Sequence, residues 1–167
     1  DILVWGGRQF NEQPVFSVYN MGGIRADFAK GDINVGDVSE VAPFENKICF
    51  LTLTGEKVLE LFQQIAHRGG EGVSHAVRMV ITRDGKLKGV TLNGEPVDPA
   101  KSYRIATLDY LAEGNDQLVA FKSGTDMVAP KSKENNVRYI IMDYLREMKA
   151  QGKVVESRVE GRCVVDK

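Results

Sequence analysis

The chain has 167 residues, 43% hydrophobic and 27% charged, which at roughly 100–200 residues per domain is one globular unit long enough to bury a core. Its 22 Lys and Arg against 23 Asp and Glu leave a formal net charge of −1, without the basic excess of a nucleic-acid-binding surface. No apolar run approaches the ~18–20 residues of a membrane span, no charged-then-apolar signal segment opens the chain, and two histidines are too few for a multi-histidine metal centre.

In chain order, DILVWGGRQF reads as an apolar helix that opens without a capping turn, as if the chain began partway through an element. Val15 to Tyr19 predicts a short buried strand that ends at the loop NMGGIR, Asn20 to Arg25. The run KICFLTL, Lys47 to Leu53, is apolar at almost every position, as in a strand covered on both faces. A helix follows, with Thr54 as N-cap, Glu56 in its first turn and Val58, Leu61, Phe62 and Ile65 on one stripe. His67 and the run GGEG end it.

RMVITRDGKLKGVTLNG predicts two strands joined at Asp84-Gly85, a strong short hairpin signal. Pro96 and Pro99 bracket a turn before a strand at Tyr103 to Leu108, and the loop AEGNDQ comes next. A helix is predicted from about Asn136 to Ala150, stopped by Gly152, and a last strand from about Arg158 to Val165. Strands and helices without a strict βαβ rhythm indicate an α+β single domain, a mixed β-sheet with packed helices.

Reactive groups are sparse. His67 and His75 have no metal-ligand spacing and suit polar positions at a helix end and in a loop. Cys49 and Cys163 form no C-x-x-C pair; Cys49 reads as a small buried hydrophobe, and a Cys49–Cys163 disulfide stays open. No G-x-S-x-G elbow, phosphate loop or dinucleotide fingerprint is present.

The remaining groups suit a small, flat, anionic molecule. Arg25, beyond two glycines, offers a planar fork for phosphate, Phe44 and Tyr110 offer faces for a base, and Asp116 can accept from ribose hydroxyls. On residue types alone, core aromatics at element ends and a turn-forming aspartate are the readier reading.

These segments also carry a resemblance. NMGGIR, KGDINVGDVSEVAPFENKI, LTGEKV, NGEPVDPAKSYRIATLDYLAEGNDQ and VEGR, in this order across nearly the whole chain, resemble the C-terminal domain of the 5′-nucleotidase / UDP-sugar hydrolase family. The resemblance implies that residues 1–167 are a substrate-binding C-terminal domain lacking the start of its first helix. The metallophosphatase domain, with its divalent metal ions and the catalytic residues, would lie outside this chain, in cis or in trans. The chain alone would then hold no catalytic residue, metal site or cofactor and be inactive by itself, in a periplasmic or extracellular setting.

By the same resemblance Asn20, Gly23 and Arg25 match substrate-contacting positions of the family's N-G-G-G-I-R motif. Phe44 matches the first stacking aromatic, Asn46 a polar neighbour of the base, Tyr110 the second aromatic (usually Phe), and Asp116 the ribose-binding carboxylate. Met21 stands where the motif has a glycine, and Asn115 and Gln117 replace glycines of G-G-D-G; glutamine resists a left-handed backbone. The family's other phosphate arginines lie upstream of the matching segment, so Arg25 is the one it assigns here. The alternatives are a stand-alone nucleoside- or nucleotide-binding module without catalysis, and an interaction domain with a degenerate pocket.

Overall fold

The apolar run after Lys47 becomes the middle of the molecule. In the computed structural model, which describes residues 1–167, the elements in chain order are α1 (Ile2–Gly6), β1 (Phe16–Tyr19), α2 (Val35–Val41), β2 (Ile48–Thr54), α3 (Gly55–His67), β3 (Gly72–Val73), β4 (Val77–Ile81), β5 (Leu87–Leu92), β6 (Glu95–Pro96), β7 (Ser102–Leu108), α4 (Asp109–Ala112), β8 (Thr125–Val128), α5 (Val137–Ala150) and β9 (Cys163–Val165). One sheet has the order β3-β1-β7-β2-β8 and a second the order β6-β5-β4-β9. Each is mixed: β1 runs parallel to β7 and β9 parallel to β4, and all other pairs are antiparallel. The α+β class is therefore as expected, with the strands divided between two sheets.

The five-stranded sheet is covered on both faces, which explains why β2 is apolar throughout. Cys49, Leu51 and Leu53 point into one core with Phe16, Ile105, α3 and the second sheet, whereas Ile48 and Phe50 point into another with Leu3, Val38, Ile140 and Leu108. Helix α3 forms as its sequence dictates. The Thr54 hydroxyl accepts from the Lys57 N–H at 3.3 Å, and Val58, Leu61, Phe62 and Ile65 are all fully buried. Phe62 packs on Phe16 with ring centroids 5.3 Å apart.

The hairpin turns where expected, with Gly85 at φ 78° and its N–H donating to the Thr82 carbonyl. Gly152, at φ 68°, follows α5. No helix is long and apolar enough to cross a membrane.

Two helices and the last strand depart from expectation. The first helix ends at Gly6 and continues as a 3-10 turn over Gly7–Phe10, with Gly7 packed where a side chain would meet the Glu12 carbonyl and the Pro14 ring at 2.9 Å. Asp1 occupies its N-cap position, but its carboxylate accepts instead from the His75 N–H and from Arg162. The last strand is only Cys163–Val165. Residues 153–160 are exposed, with charges between the valines, and pairing with β4 starts only after Gly161 turns the chain at φ 70°. Helix α2, absent from the predicted elements, starts at a capping box in which the Asn34 side chain accepts from the Asp37 N–H and the Asp37 carboxylate accepts from the Asn34 N–H. Both cysteines are free thiols, and burial pushes the Cys49 thiol up to about 12.

The edge strand β8 is exposed along its length and pairs with β2 through a register shift between Phe50 and Thr52, with Asp126 in the left-handed region at φ 49°. Arg104 on β7 fastens this side of the sheet. It donates to both Glu12 oxygens at 2.6 and 2.8 Å, to the Thr52 hydroxyl and to the Asp126 carbonyl. The Arg104 hydrogen bonds hold the Glu12 carboxyl below its ordinary range. A depressed carboxylate stabilises the fold above its unfolded pKa and loses that contribution as pH falls through the folded value. Glu12→Gln is therefore expected to cost about 1–2 kcal/mol near neutrality. In urea unfolding the difference from wild type should narrow as pH falls through the lowered folded pKa of Glu12; a pH-independent difference would contradict this.

Candidate functional site

Three strand ends of the five-stranded sheet set the site. The parallel register pairs Phe16 with Ile105, so Tyr19 at the end of β1 lies level with Leu108 at the end of β7. Ile48, the start of antiparallel β2, pairs with the same Leu108. The loop after β1, the loop before β2 and the helix after β7 therefore emerge side by side.

Each loop is fastened. After β1, Met21–Gly23 form a single 3-10 turn whose first N–H donates to the buried carboxylate of Glu71 at 2.9 Å. Met21 occupies this turn without a left-handed backbone, so the missing glycine of the motif leaves the loop undisturbed. Gly23 is needed for room: a side chain there would come within 3.0 Å of the Asn20 amide oxygen and 3.1 Å of the Tyr19 ring. That Asn20 oxygen is buried and has no partner in the protein.

Asp109 joins the other two loops. Its N–H donates to the Lys47 carbonyl, and its carboxylate accepts from the Lys47 and Tyr110 N–H groups at 3.1 and 2.9 Å. Asn46 is fixed from another side, its carbonyl accepting from the Val137 N–H at the start of α5.

These restraints bring Asn20, Gly22, Arg25, Phe44, Asn46, Arg68, Tyr110 and Asp116 around one cleft of about 410 Å³. Six of the seven residues singled out in the sequence line it, and Gly23 lies buried behind it against Asn20. Phe44 and Tyr110 remain 44% and 38% exposed and line the cleft together. Arg25 makes no ion pair; its guanidinium rests 5.3 Å from the centre of the Phe44 ring. The Tyr110 hydroxyl donates to Asp116 Oδ1 at 2.8 Å, and this bond holds the phenol above its ordinary pKa range.

The family model described as the 5′-nucleotidase C-terminal domain matches residues 5–123. The chain belongs to the 5′-nucleotidase C-terminal domain family. It is 38% identical over 104 residues to protein UshA of Escherichia coli, an alignment covering 60% of this chain and 19% of UshA. It is 29% identical over 161 residues to the trifunctional nucleotide phosphoesterase protein YfkN of Bacillus subtilis, covering 87% of this chain and 10% of that protein. The fold superposes on a 5′-nucleotidase precursor from Thermus thermophilus with a TM-score of 0.81 at 27% identity, over 98% of this chain and 34% of that one. The chain spans about a fifth of the length of UshA.

Sequence reasoning missed Arg68 and Glu71, which this family's motifs do not mark. Arg68 follows α3, where the only available signal was a cation beside a helix end and a glycine run. Its Nε donates to Glu71 Oε1 at 3.3 Å, and its Nη2 lies 3.9 Å from Asp116 Oδ2. Departures from the family's glycine-rich pattern have a visible cost at the other side of Asp116. Asp116 and Gln117 both adopt positive φ, 56° and 64°, after Gly114 at 86°. Gln117→Gly is expected to raise stability by about 0.5–1 kcal/mol in urea unfolding, whereas Gln117→Ala, which keeps the Cβ, should give no gain. Equal gains from both would mean that the backbone is not the source of strain.

Proposed function

We propose that this chain is the nucleotide-binding, substrate-positioning part of a 5′-nucleotidase-type hydrolase. The observation that carries the reading is the convergence, in one cleft, of two half-exposed aromatic rings, an unpaired guanidinium and a carboxylate. Phe44 and Tyr110 stack on the base, Asn46 meets its edge, Asp116 accepts from the ribose, and Arg25 binds phosphate. Asn20 lines the same cleft and offers its amide to the ligand. Relatives named 5′-nucleotidase and nucleotide phosphoesterase support the substrate class.

Cleavage of the phosphate ester belongs to a metallophosphatase domain, in the same polypeptide or in another. The divalent ions that such cleavage uses are placed by the family resemblance in that domain as well. The contribution of this chain is position: it holds the nucleotide so that hydrolysis becomes effectively intramolecular. The family resemblance carries a periplasmic or extracellular setting and a role in nucleotide catabolism with it.

Calorimetric titration of the chain with adenosine and AMP tests the cleft. Binding of both is expected, with Phe44→Ala and Tyr110→Ala each weakening it by about 1–3 kcal/mol through lost stacking. Gly23→Ala should weaken it as well, because the new methyl displaces the Asn20 amide. A folded protein that gives no heat with millimolar ligand would overturn the reading.

A further inference from the structure

Arg68 is the one charged side chain of the cleft to which the family motifs give no part, and its setting is built. Glu71, with 3% of its side chain exposed, uses one oxygen to hold the Met21 N–H and the other to accept from Arg68 Nε. The guanidinium is thereby aimed at Asp116 but stops short: Nη2 to Oδ2 is 3.9 Å, beyond hydrogen-bond length. The other Asp116 oxygen already accepts from Tyr110. The second oxygen of the carboxylate thus faces a guanidinium donor across a gap that neither closes.

The chemistry of the gap selects its occupant. Phosphate brings only acceptors and a charge like that of Asp116, and an ammonium brings only donors and a charge like that of Arg68. A hydroxyl suits both sides, donating to Oδ2 and accepting from Nη2. An oxygen about 2.8 Å from each would see them at roughly a right angle across this gap.

We propose that Arg68 is a sugar-recognition residue, completing with Asp116 a donor–acceptor pair for one ribose hydroxyl and so setting a preference for ribo- over deoxyribonucleosides. The inference rests on the nucleoside reading of the cleft given above.

Calorimetric titrations with adenosine and uridine, with their 2′-deoxy and 3′-deoxy forms, and with AMP test it on the wild-type chain, Arg68→Met and Arg68→Lys, each verified as folded by circular dichroism. Wild type should prefer the ribonucleoside over one of the two deoxy forms by about tenfold, the scale of one charge-assisted hydrogen bond. Arg68→Met should cut that ratio to about two- to threefold, which the Asp116 bond alone supports, while leaving the affinity for the weaker deoxy form within about twofold, and Arg68→Lys should keep more of it. Equal losses for ribose and deoxyribose ligands would reduce Arg68 to a prop for the Met21 turn. A loss confined to AMP would make it a phosphate ligand, and no loss at all would leave it without a role in binding; each overturns the proposal. Failure of wild type to bind any of these ligands would overturn the nucleoside reading itself.

Discussion

The parallel pairing of β1 with β7 is the constraint from which the site follows. Two strands that run the same way deliver their following loops to the same end of a sheet, and an antiparallel neighbour begins there. Because Tyr19, Leu108 and Ile48 lie in one row, the Asn20 turn, the Tyr110 helix and the Phe44 loop meet without any long excursion of the chain. The short strand β3 adds a fourth segment at this end. Gly72 pairs with Tyr19 so closely that a side chain would meet the Tyr19 carbonyl at 2.8 Å, and this brings the neighbouring Glu71 under the Met21 turn. A shift of one residue in this register would exchange the faces of β1 and move Phe16 and Val18 out of the core.

Legibility in the sequence followed how local each signal was. Helix α3, helix α5 and the Asp84-Gly85 hairpin carry their caps, stripes and turns within a dozen or so residues, and each formed near its expected bounds. The strand expected from Arg158 forms only over Cys163–Val165, because alternation of valine with charge resembles a half-buried strand while Val159 has nothing to pack against. The edge strand β8 has no buried face at all, so hydrophobic patterning could not mark it. The division of the strands into two sheets is set by long-range pairing, which a local pattern does not encode.

The same distinction applies to the cleft. Phe44, Tyr110 and Asp116 could be singled out because their motifs are contiguous, although their composition alone also fitted core and turn positions. Arg68 and Glu71 stand in a glycine-rich stretch far in sequence from both Met21 and Asp116, and only the folded chain joins them. The near-neutral net charge conceals this local arrangement. Two arginines and one carboxylate line the cleft, with a buried glutamate behind them, so its electrostatics are set over a few ångströms and owe little to the whole-molecule field.

The register shift opposite β8 has a consequence for the molecule in a crowded solution. An exposed edge strand offers unpaired peptide groups that can template another chain. Here the shift between Phe50 and Thr52 and the left-handed turn at Asp126 distort that edge, and Pro130 and Lys131 follow directly after it. The opposite edge, β3, is two residues long. A sheet apolar enough to anchor the cleft thus ends on both sides in strands too short or too bent to offer a long flat edge to another chain.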